Sequence, residues 1–172
     1  MTQNIYELFQ DIIPELKQQA LPEYLSNPED LDEMNSWDLY YAFGEWMNES
    51  IHIWHYIEMT EFQNHDIEDN YYLIQKNVDT HAIEQQIAQA VDQLFEQNKG
   101  NQHIDLLDET YDIFFDTLCA VAEQQQLSLL VVVKENPDWM FIPKQSDEKL
   151  AEIAELFNAT FNEDEDSTMV VY

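Results

Sequence analysis

The sequence predicts an α+β fold in which helices pack on a small, mainly antiparallel sheet, with a C-terminal strand–strand–helix unit. Most of the chain carries apolar residues at helical spacing, whereas residues 51–59 and 127–142 have the β-branched and aromatic composition of strands. Elements in this order bury a small sheet beneath helices. Because no linker or internal repeat interrupts the 172 residues, we expect a single domain over residues 1–172, with an acidic tail from about residue 162.

The first half of the chain is predicted to hold two helices and one strand. Residues 4–20 show a helical apolar stripe that Pro14 should split, because a proline removes a helical hydrogen bond. Ser36 is expected to cap a helix from Trp37 to about Asn48, whose many rings should lie mostly in the core, with some bordering a partner surface. In residues 51–59 the side chains alternate at a period of two, which predicts a strand.

Three further helices are predicted in the middle of the chain. They span residues 71–76, residues 82–97 and residues 105 to about 125. The third is the longest, and its apolar residues share one face that should contact the core. These residues are Leu107, Tyr111, Phe114, Leu118 and Ala122.

The C-terminal unit is predicted to be a hairpin followed by a helix. Residues 127–133 form an apolar run typical of a strand that is buried on both faces. The turn-forming residues 135–138 lead into a return strand from Trp139 to Ile142. Ser146 should then cap a helix from Asp147 to about Asn158, which has acidic residues in its first turn where the helix dipole favours them.

The charge of the chain is strongly one-sided. It has 36 acidic residues, six basic residues that are all lysines, no arginine, and a formal net charge of -30. Binding to nucleic acid needs clustered cations that displace counterions from phosphates. We therefore expect no direct binding of this chain to nucleic acid. An anionic membrane would also repel the chain. A basic protein would be attracted, although an acidic surface can equally serve solubility alone.

The sequence predicts a cytoplasmic protein. Because Cys119 is its only cysteine, the chain cannot form an intramolecular disulfide. The acidic neighbours of Cys119 should raise the pKa of its thiol. The N-terminal residues lack the basic segment of a signal peptide. The longest apolar run, residues 127–133, is too short to cross a bilayer.

Enzymatic motifs are largely excluded. The chain contains only two glycines, Gly44 and Gly100. Phosphate-binding loops, dinucleotide sites and nucleophile elbows need more glycines. We therefore expect no enzyme of a motif-bearing class, no cofactor and no built metal site. His52 and His55 lie near Glu58 and could bind a metal on a helix, but on the predicted strand they should point to opposite faces.

The most organised polar feature is an acidic stripe on the helix from residue 105. Its members recur at spacings of three and four: Asp105, Asp108, Glu109, Asp112 and Asp116. Two further acidic segments are expected to join it on a partner-binding surface, through Asp66, Glu68, Asp69, Glu163 and Asp164. Like charges at this spacing destabilise a helix slightly, and no lysine is interspersed. If the acidity serves binding, the carboxylates should be concentrated on one surface.

Two segments resemble an uncharacterised bacterial domain family. They are FFDTLCAVAEQQQLSLLVVVKENPDWMFIPKQSDEKLAEIAELF and WDLYYAFGEWMNESIHIWHYIE. The resemblance implies a helix that leads to two strands and a final helix, and it brings no site residues. In composition, the small, acidic and glycine-poor chain also resembles bacterial toxin-immunity proteins and DNA-mimic inhibitors.

These observations favour a protein that neutralises a basic partner by occlusion, as a toxin-immunity protein does. A DNA-mimic inhibitor of a DNA-binding protein is the first alternative. A metal-dependent enzyme that uses His52 and His55 is the second.

Overall fold

A computed structural model describes residues 2–58, 66–100, 106–161 and 168–172. Within these ranges the chain forms seven α-helices and one four-stranded sheet. The helices are α1 Thr2–Ile12, α2 Pro28–Glu33, α3 Ser36–Met47, α4 Tyr71–Gln75, α5 Thr80–Gln97, α6 Leu106–Gln125 and α7 Asp147–Phe161. The strands are β1 His55–Tyr56, β2 Leu127–Val133, β3 Asp138–Pro143 and β4 Thr168–Val171.

The sheet is antiparallel throughout and has the order β1-β3-β2-β4. β2 and β3 form the predicted hairpin, in which Val131 lies opposite Trp139. β1 continues the sheet beyond β3, with His55 opposite Trp139. The predicted α+β fold, its small antiparallel sheet and its C-terminal strand–strand–helix unit are confirmed.

Helices cover both faces of the sheet. Neighbouring residues on a strand point to opposite faces. Trp139 packs against Phe114 of α6, with ring centroids 6.1 Å apart. The carboxylate of the adjacent residue, Asp138, accepts a hydrogen bond from Tyr40 of α3, and Tyr40 in turn contacts Phe157 of α7. α6 therefore covers one face, while α3 and α7 cover the other.

The predicted strand over residues 51–59 is much shorter than expected. Only His55 and Tyr56 pair in the sheet, and residue 59 lies outside the described residues. The side chain of Asn48 binds the segment that precedes β1: its Oδ1 accepts from the backbone N–H groups of Ile53 and Trp54 at 3.0 and 2.8 Å. These backbone donors are thus satisfied by a side chain instead of a neighbouring strand.

The last residues of the chain, which were predicted to form an acidic tail, also differ from the prediction. Residues 162–167 lie outside the described residues, but Thr168–Val171 forms β4 at the edge of the sheet beside β2. Met169 is buried there and its backbone N–H donates to Asn158 of α7 at 2.8 Å. Four residues are too few to show the period of a strand, so the sequence pattern alone does not reveal this edge.

Smaller differences concern helix ends. Pro14 ends α1 as predicted, and a 3-10 turn follows over Pro14–Gln18. The cap of α3 is Asn35, whose side chain accepts from the N–H of Asp38, and not Ser36. Ser146 caps α7 as predicted, because its hydroxyl accepts from the N–H of Lys149 at 3.3 Å. Leu107, predicted to lie in the core, is exposed in the first turn of α6.

No helix within the described ranges is both long enough and apolar enough to cross a membrane.

Candidate functional site

The predicted acidic stripe is an exposed row on α6. Asp108, Glu109, Asp112 and Asp116 are all exposed, because the opposite face of the helix is buried in the core. Asp105 lies outside the described residues. We call the four described carboxylates the α6 row.

The α6 row contributes to the raised pKa values of two neighbouring groups. Burial raises the pKa of Tyr111 to about 12, with further contributions from Asp108 and Glu135. Burial, followed by Asp116 and Glu123, raises the pKa of the Cys119 thiol. The raised thiol pKa confirms the expectation from sequence and disfavours a reactive thiolate.

The other carboxylates are not concentrated around this row. Exposed acidic residues also lie on α1, α2, α3, α5 and α7. Glu68 and Asp69 are exposed on the 3-10 turn Ile67–Asp69, and Glu163 and Asp164 lie outside the described residues. The expected single acidic surface is therefore not what the described residues show, and acidity alone does not mark a site.

A cleft of about 1310 Å³ provides a second, more specific feature. One wall is a stripe of α3 that includes Trp37, Tyr41 and Glu45, which recur at helical spacing. The opposite wall combines the segment around β1 with the β2–β3 turn over residues 134–138. Asp66, one of the predicted partner-binding residues, also lines this cleft.

The cleft wall contains a buried ionic network. Lys134 Nζ lies 2.7 Å from Asp138 Oδ2, and both side chains are largely buried. The hydroxyl of Tyr40 and the side chain of Trp54 also hydrogen-bond to this carboxylate. Burial raises the pKa of Asp138, although Lys134, Tyr40 and Trp54 all oppose that shift by stabilising the charged form.

Aromatic rings surround the ammonium group of this network. Lys134 Nζ lies 5.0 Å from the ring centroid of Tyr40 and 5.5 Å from that of Trp37. The two rings are stacked, with centroids 5.6 Å apart. The two distances from Lys134 Nζ to the ring centroids are within the range of a cation–π interaction. The wall of the cleft thus binds a cation through rings and a carboxylate together.

A glycine allows these groups to come together. A side chain at Gly44 would place its Cβ 3.2 Å from Trp54 Nε1. Because Gly44 has no Cβ, the indole of Trp54 lies directly against α3, from where it reaches Asp138.

The α6 row and the cleft are neighbours. Tyr111 lies on α6 one turn after Asp108, and its hydroxyl donates to the backbone carbonyl of Glu135 at 3.5 Å. Glu135 belongs to the β2–β3 turn and lines the cleft. Tyr111 thus connects the helix that carries the row to the turn that lines the cleft.

His52 and His55 are not separated as expected. Their ring centroids are 4.8 Å apart, because residue 52 precedes the strand and does not follow its alternation. Asn70 Nδ2 bonds to His55 Nε2 at 3.1 Å, while Asn70 Oδ1 accepts from the N–H groups of Tyr72 and Leu73. His55 Nε2 therefore accepts, and the proton of the neutral ring lies on Nδ1.

The protonated Nδ1 of His55 is buried and has no hydrogen-bond partner among the described residues. Burial, assisted by His52, lowers the pKa of His55 to about 3, so the ring is neutral near pH 7. Within the described ranges, no group of three or more histidine, cysteine or acidic side chains is arranged to hold a metal ion.

The sequence did not single out the cleft. Tyr40 and Asp138 are 98 residues apart, and their contact depends on how α3 packs on the sheet. A weak local signal did exist, because Trp37, Tyr41, Gly44 and Asn48 lie on one face of α3 by their spacing. The sequence interpretation placed most rings of residues 37–56 in the core and some at a partner surface. Tyr40, Phe43, Trp46 and Trp54 are indeed buried, whereas Trp37 and Tyr41 are exposed.

No protein family model, no curated protein and no solved structure matches this chain. The resemblance of two segments to a bacterial domain family therefore stays a prediction.

Proposed function

We propose that this chain is an acidic binding protein that neutralises a basic protein partner by occlusion, in the manner of a bacterial toxin-immunity protein, and that it acts in the cytoplasm. One observation carries the proposal: Tyr111 connects the helix of the α6 row to the turn of a cleft that combines exposed rings with carboxylates. Exposed tyrosine and tryptophan residues are typical anchors of protein interfaces, whereas a solubilising surface needs none.

The two features would act in sequence. The row at Asp108, Asp112 and Asp116 attracts a positively charged surface over a distance of about a Debye length, roughly 10 Å at 0.1 M salt. The rings of the cleft then exclude water around the contact and slow dissociation. A nuclease-like toxin presents such a basic surface around its substrate site, so a bound acidic protein would block access of the substrate.

A DNA-mimic inhibitor is the second candidate, and the regularity of the row favours it. Asp108, Asp112 and Asp116 follow each other at intervals of four residues, which places them about 6 Å apart along the helix axis. A regular line of negative charge can occupy the groove of a DNA-binding protein. In that case the basic partner would be a DNA-binding protein instead of a toxin.

The α6 row can be tested by charge reversal in affinity capture. The test bait carries Glu109→Lys, Asp112→Lys and Asp116→Lys, and the control bait carries Asp30→Lys, Glu33→Lys and Glu155→Lys. All six residues are exposed, and the control sites lie on α2 and α7. Both baits have the same net charge, so a general electrostatic effect should weaken capture by both equally.

We expect a basic protein from the cells of origin to bind the wild-type and control baits but not the test bait. With the purified partner, the test variant should associate at least about tenfold more slowly at low salt. Wild-type protein should also compete with the partner's own substrate. A nuclease whose cleavage is inhibited supports the toxin interpretation, whereas inhibition of DNA binding without cleavage supports the mimic. Equal capture by the test and control baits contradicts the proposed function.

A further inference from the structure

We propose that the cleft is a binding site for an arginine side chain of the basic partner, an assignment that rests on the function proposed above. The cleft volume of about 1310 Å³ exceeds the roughly 300–1,000 Å³ of most small-molecule sites. It therefore has room for the segment of polypeptide chain that would carry the arginine.

The charge of the lining favours a cation. Four carboxylates and one ammonium group line the cleft, which gives a formal charge of -3 with the histidines neutral. The carboxylates belong to Glu45, Asp66, Glu135 and Asp138. An anionic ligand would be repelled, whereas a cation can pair with the carboxylates other than Asp138, which Lys134 already binds.

The rings provide the second half of a cation site. Trp37 is 50% exposed, Tyr41 58% and Tyr56 45%, although all three line the cleft. Tyr41 lies edge-on to Trp37, with centroids 5.3 Å apart. Lys134 already shows that a cation is stable against Trp37 and Tyr40 beside a carboxylate. The exposed surfaces of Trp37 and Tyr41 offer the same chemistry to an external cation.

Arginine fits this combination better than lysine does. Its planar guanidinium stacks on aromatic faces, is weakly hydrated and pairs with a carboxylate through two hydrogen bonds. The chain itself contains no arginine. A second copy of this chain therefore cannot supply the ligand, and the occupant must be a different protein.

His55 points independently to a ligand. It lines the cleft, is only 1% exposed, and its protonated Nδ1 has no acceptor among the described residues. An unsatisfied buried donor costs free energy that a bound acceptor can recover. A backbone carbonyl of the arginine-bearing segment, placed beside His52, would supply that acceptor.

The probe is the peptide acetyl-Gly-Arg-Gly-amide, compared with its citrulline and lysine counterparts. Citrulline has nearly the shape of arginine but no charge. Affinities are measured by calorimetry at low salt, and the indole N–H signal of Trp37 is followed by NMR. Trp37→Ala and Tyr41→Ala remove exposed rings from the cleft. Phe95→Ala on α5 is the matched control, because Phe95 is also 50% exposed but does not line the cleft.

We expect saturable binding of the arginine peptide with a shift of the Trp37 signal, and binding about tenfold weaker for the citrulline peptide. Trp37→Ala should weaken arginine binding about tenfold and Phe95→Ala should leave it unchanged. Equal binding of citrulline, tighter binding of lysine, or an unchanged affinity of Trp37→Ala overturns the site. The proposed function fails in a different assay, when the bait with the reversed α6 row still captures the basic protein.

Discussion

Lys134 and Asp138 form an ion pair inside the wall of the cleft, with Nζ and Oδ2 2.7 Å apart and side chains only 17% and 6% exposed. The pair joins the end of β2 to the start of β3 across the hairpin turn. Burial raises the pKa of Asp138 in spite of its partners, and Lys134 is the partner that opposes this shift most strongly. Removal of the lysine therefore has a predictable effect.

Lys134→Met should lower the free energy of unfolding by about 3–5 kcal/mol at pH 7, because it leaves a buried carboxylate without its counter-charge. A folded-state pKa that is raised contributes stability below the unfolded value of 3.8, and that stability is lost as the pH rises. The destabilisation should therefore be larger at pH 7 than near pH 4. Urea denaturation at the two pH values measures it.

The exposed pair Lys149–Glu152 provides the control for Lys134→Met. Its Nζ–Oε2 distance is 2.9 Å, but the two side chains are 30% and 58% exposed. Lys149→Met should cost less than about 1 kcal/mol at either pH. Equal losses from the two lysine variants would show that the buried pair contributes no more than a surface pair.

His55→Gln should flatten the loss of stability on acidification. The pKa of His55 is about 3 in the folded protein and about 6.5 in the unfolded chain, so the unfolded state binds the extra proton between these values. Stability due to this group is present above pH 6.5 and falls by about 1.4 kcal/mol per pH unit as the pH drops towards 3.

Glutamine is neutral at all pH values and can still accept from Asn70, so the variant isolates the titration of His55. The free energy of unfolding is compared between pH 6.5 and pH 4.5 for wild type and variant. His81→Ala, which removes an exposed imidazole from α5, controls for the loss of one histidine. If the free energy of unfolding of His55→Gln fell with decreasing pH as steeply as that of the wild type, this would contradict the buried, neutral state of His55.

The fold could be predicted where local patterns are long and regular. The 20 residues of α6 show their helical period clearly, the seven of β2 form a continuous apolar run, and both elements are confirmed. The predicted length of the strand over residues 51–59 was wrong, because the side chain of Asn48 binds the backbone of the segment before β1. No pattern within residues 51–59 shows this contact. β4 is too short to be identified without its partner strand.

The site was predictable only in part, for a related reason. The spacing of the acids on α6 correctly placed Asp108, Glu109, Asp112 and Asp116 on an exposed face. The cleft depends on contacts between α3 and the β2–β3 turn, which are about a hundred residues apart in sequence. Helical periodicity places Trp37 and Tyr41 on a face of α3, but it does not tell whether another element covers that face.

Added salt should raise the melting temperature by several degrees. The net charge of -30 opposes the compact state, and salt screens this repulsion. Two ion pairs within the described residues, Lys99–Glu96 and Lys149–Glu152, lie at the surface and lose little by screening. Thermal unfolding between about 0.02 and 0.5 M sodium chloride measures the effect. Potassium chloride should act alike, and a falling melting temperature would show that favourable charge pairs dominate.

Gly44→Ala should destabilise the protein, although alanine is the better helix former. Alanine gains about 1 kcal/mol of helix propensity over glycine. Its Cβ, however, would lie 3.2 Å from Trp54 Nε1, and Trp54 is held from other sides by the rings of Tyr40, Phe43 and Phe157. Overpacking of this kind costs about 1–3 kcal/mol, so the expected net loss is roughly 0–2 kcal/mol, with a shift of the Trp54 indole N–H signal.

A double-mutant cycle with Trp54→Leu separates the two contributions to Gly44→Ala. Without the indole, the close contact with Trp54 Nε1 disappears, and the gain in helix propensity should remain. In the Trp54→Leu background we therefore expect Gly44→Ala to become stabilising by up to about 1 kcal/mol. The free energies of unfolding of the four proteins give the coupling directly. If Gly44→Ala has the same effect in both backgrounds, Gly44 is not what allows Trp54 to lie against α3 and reach Asp138.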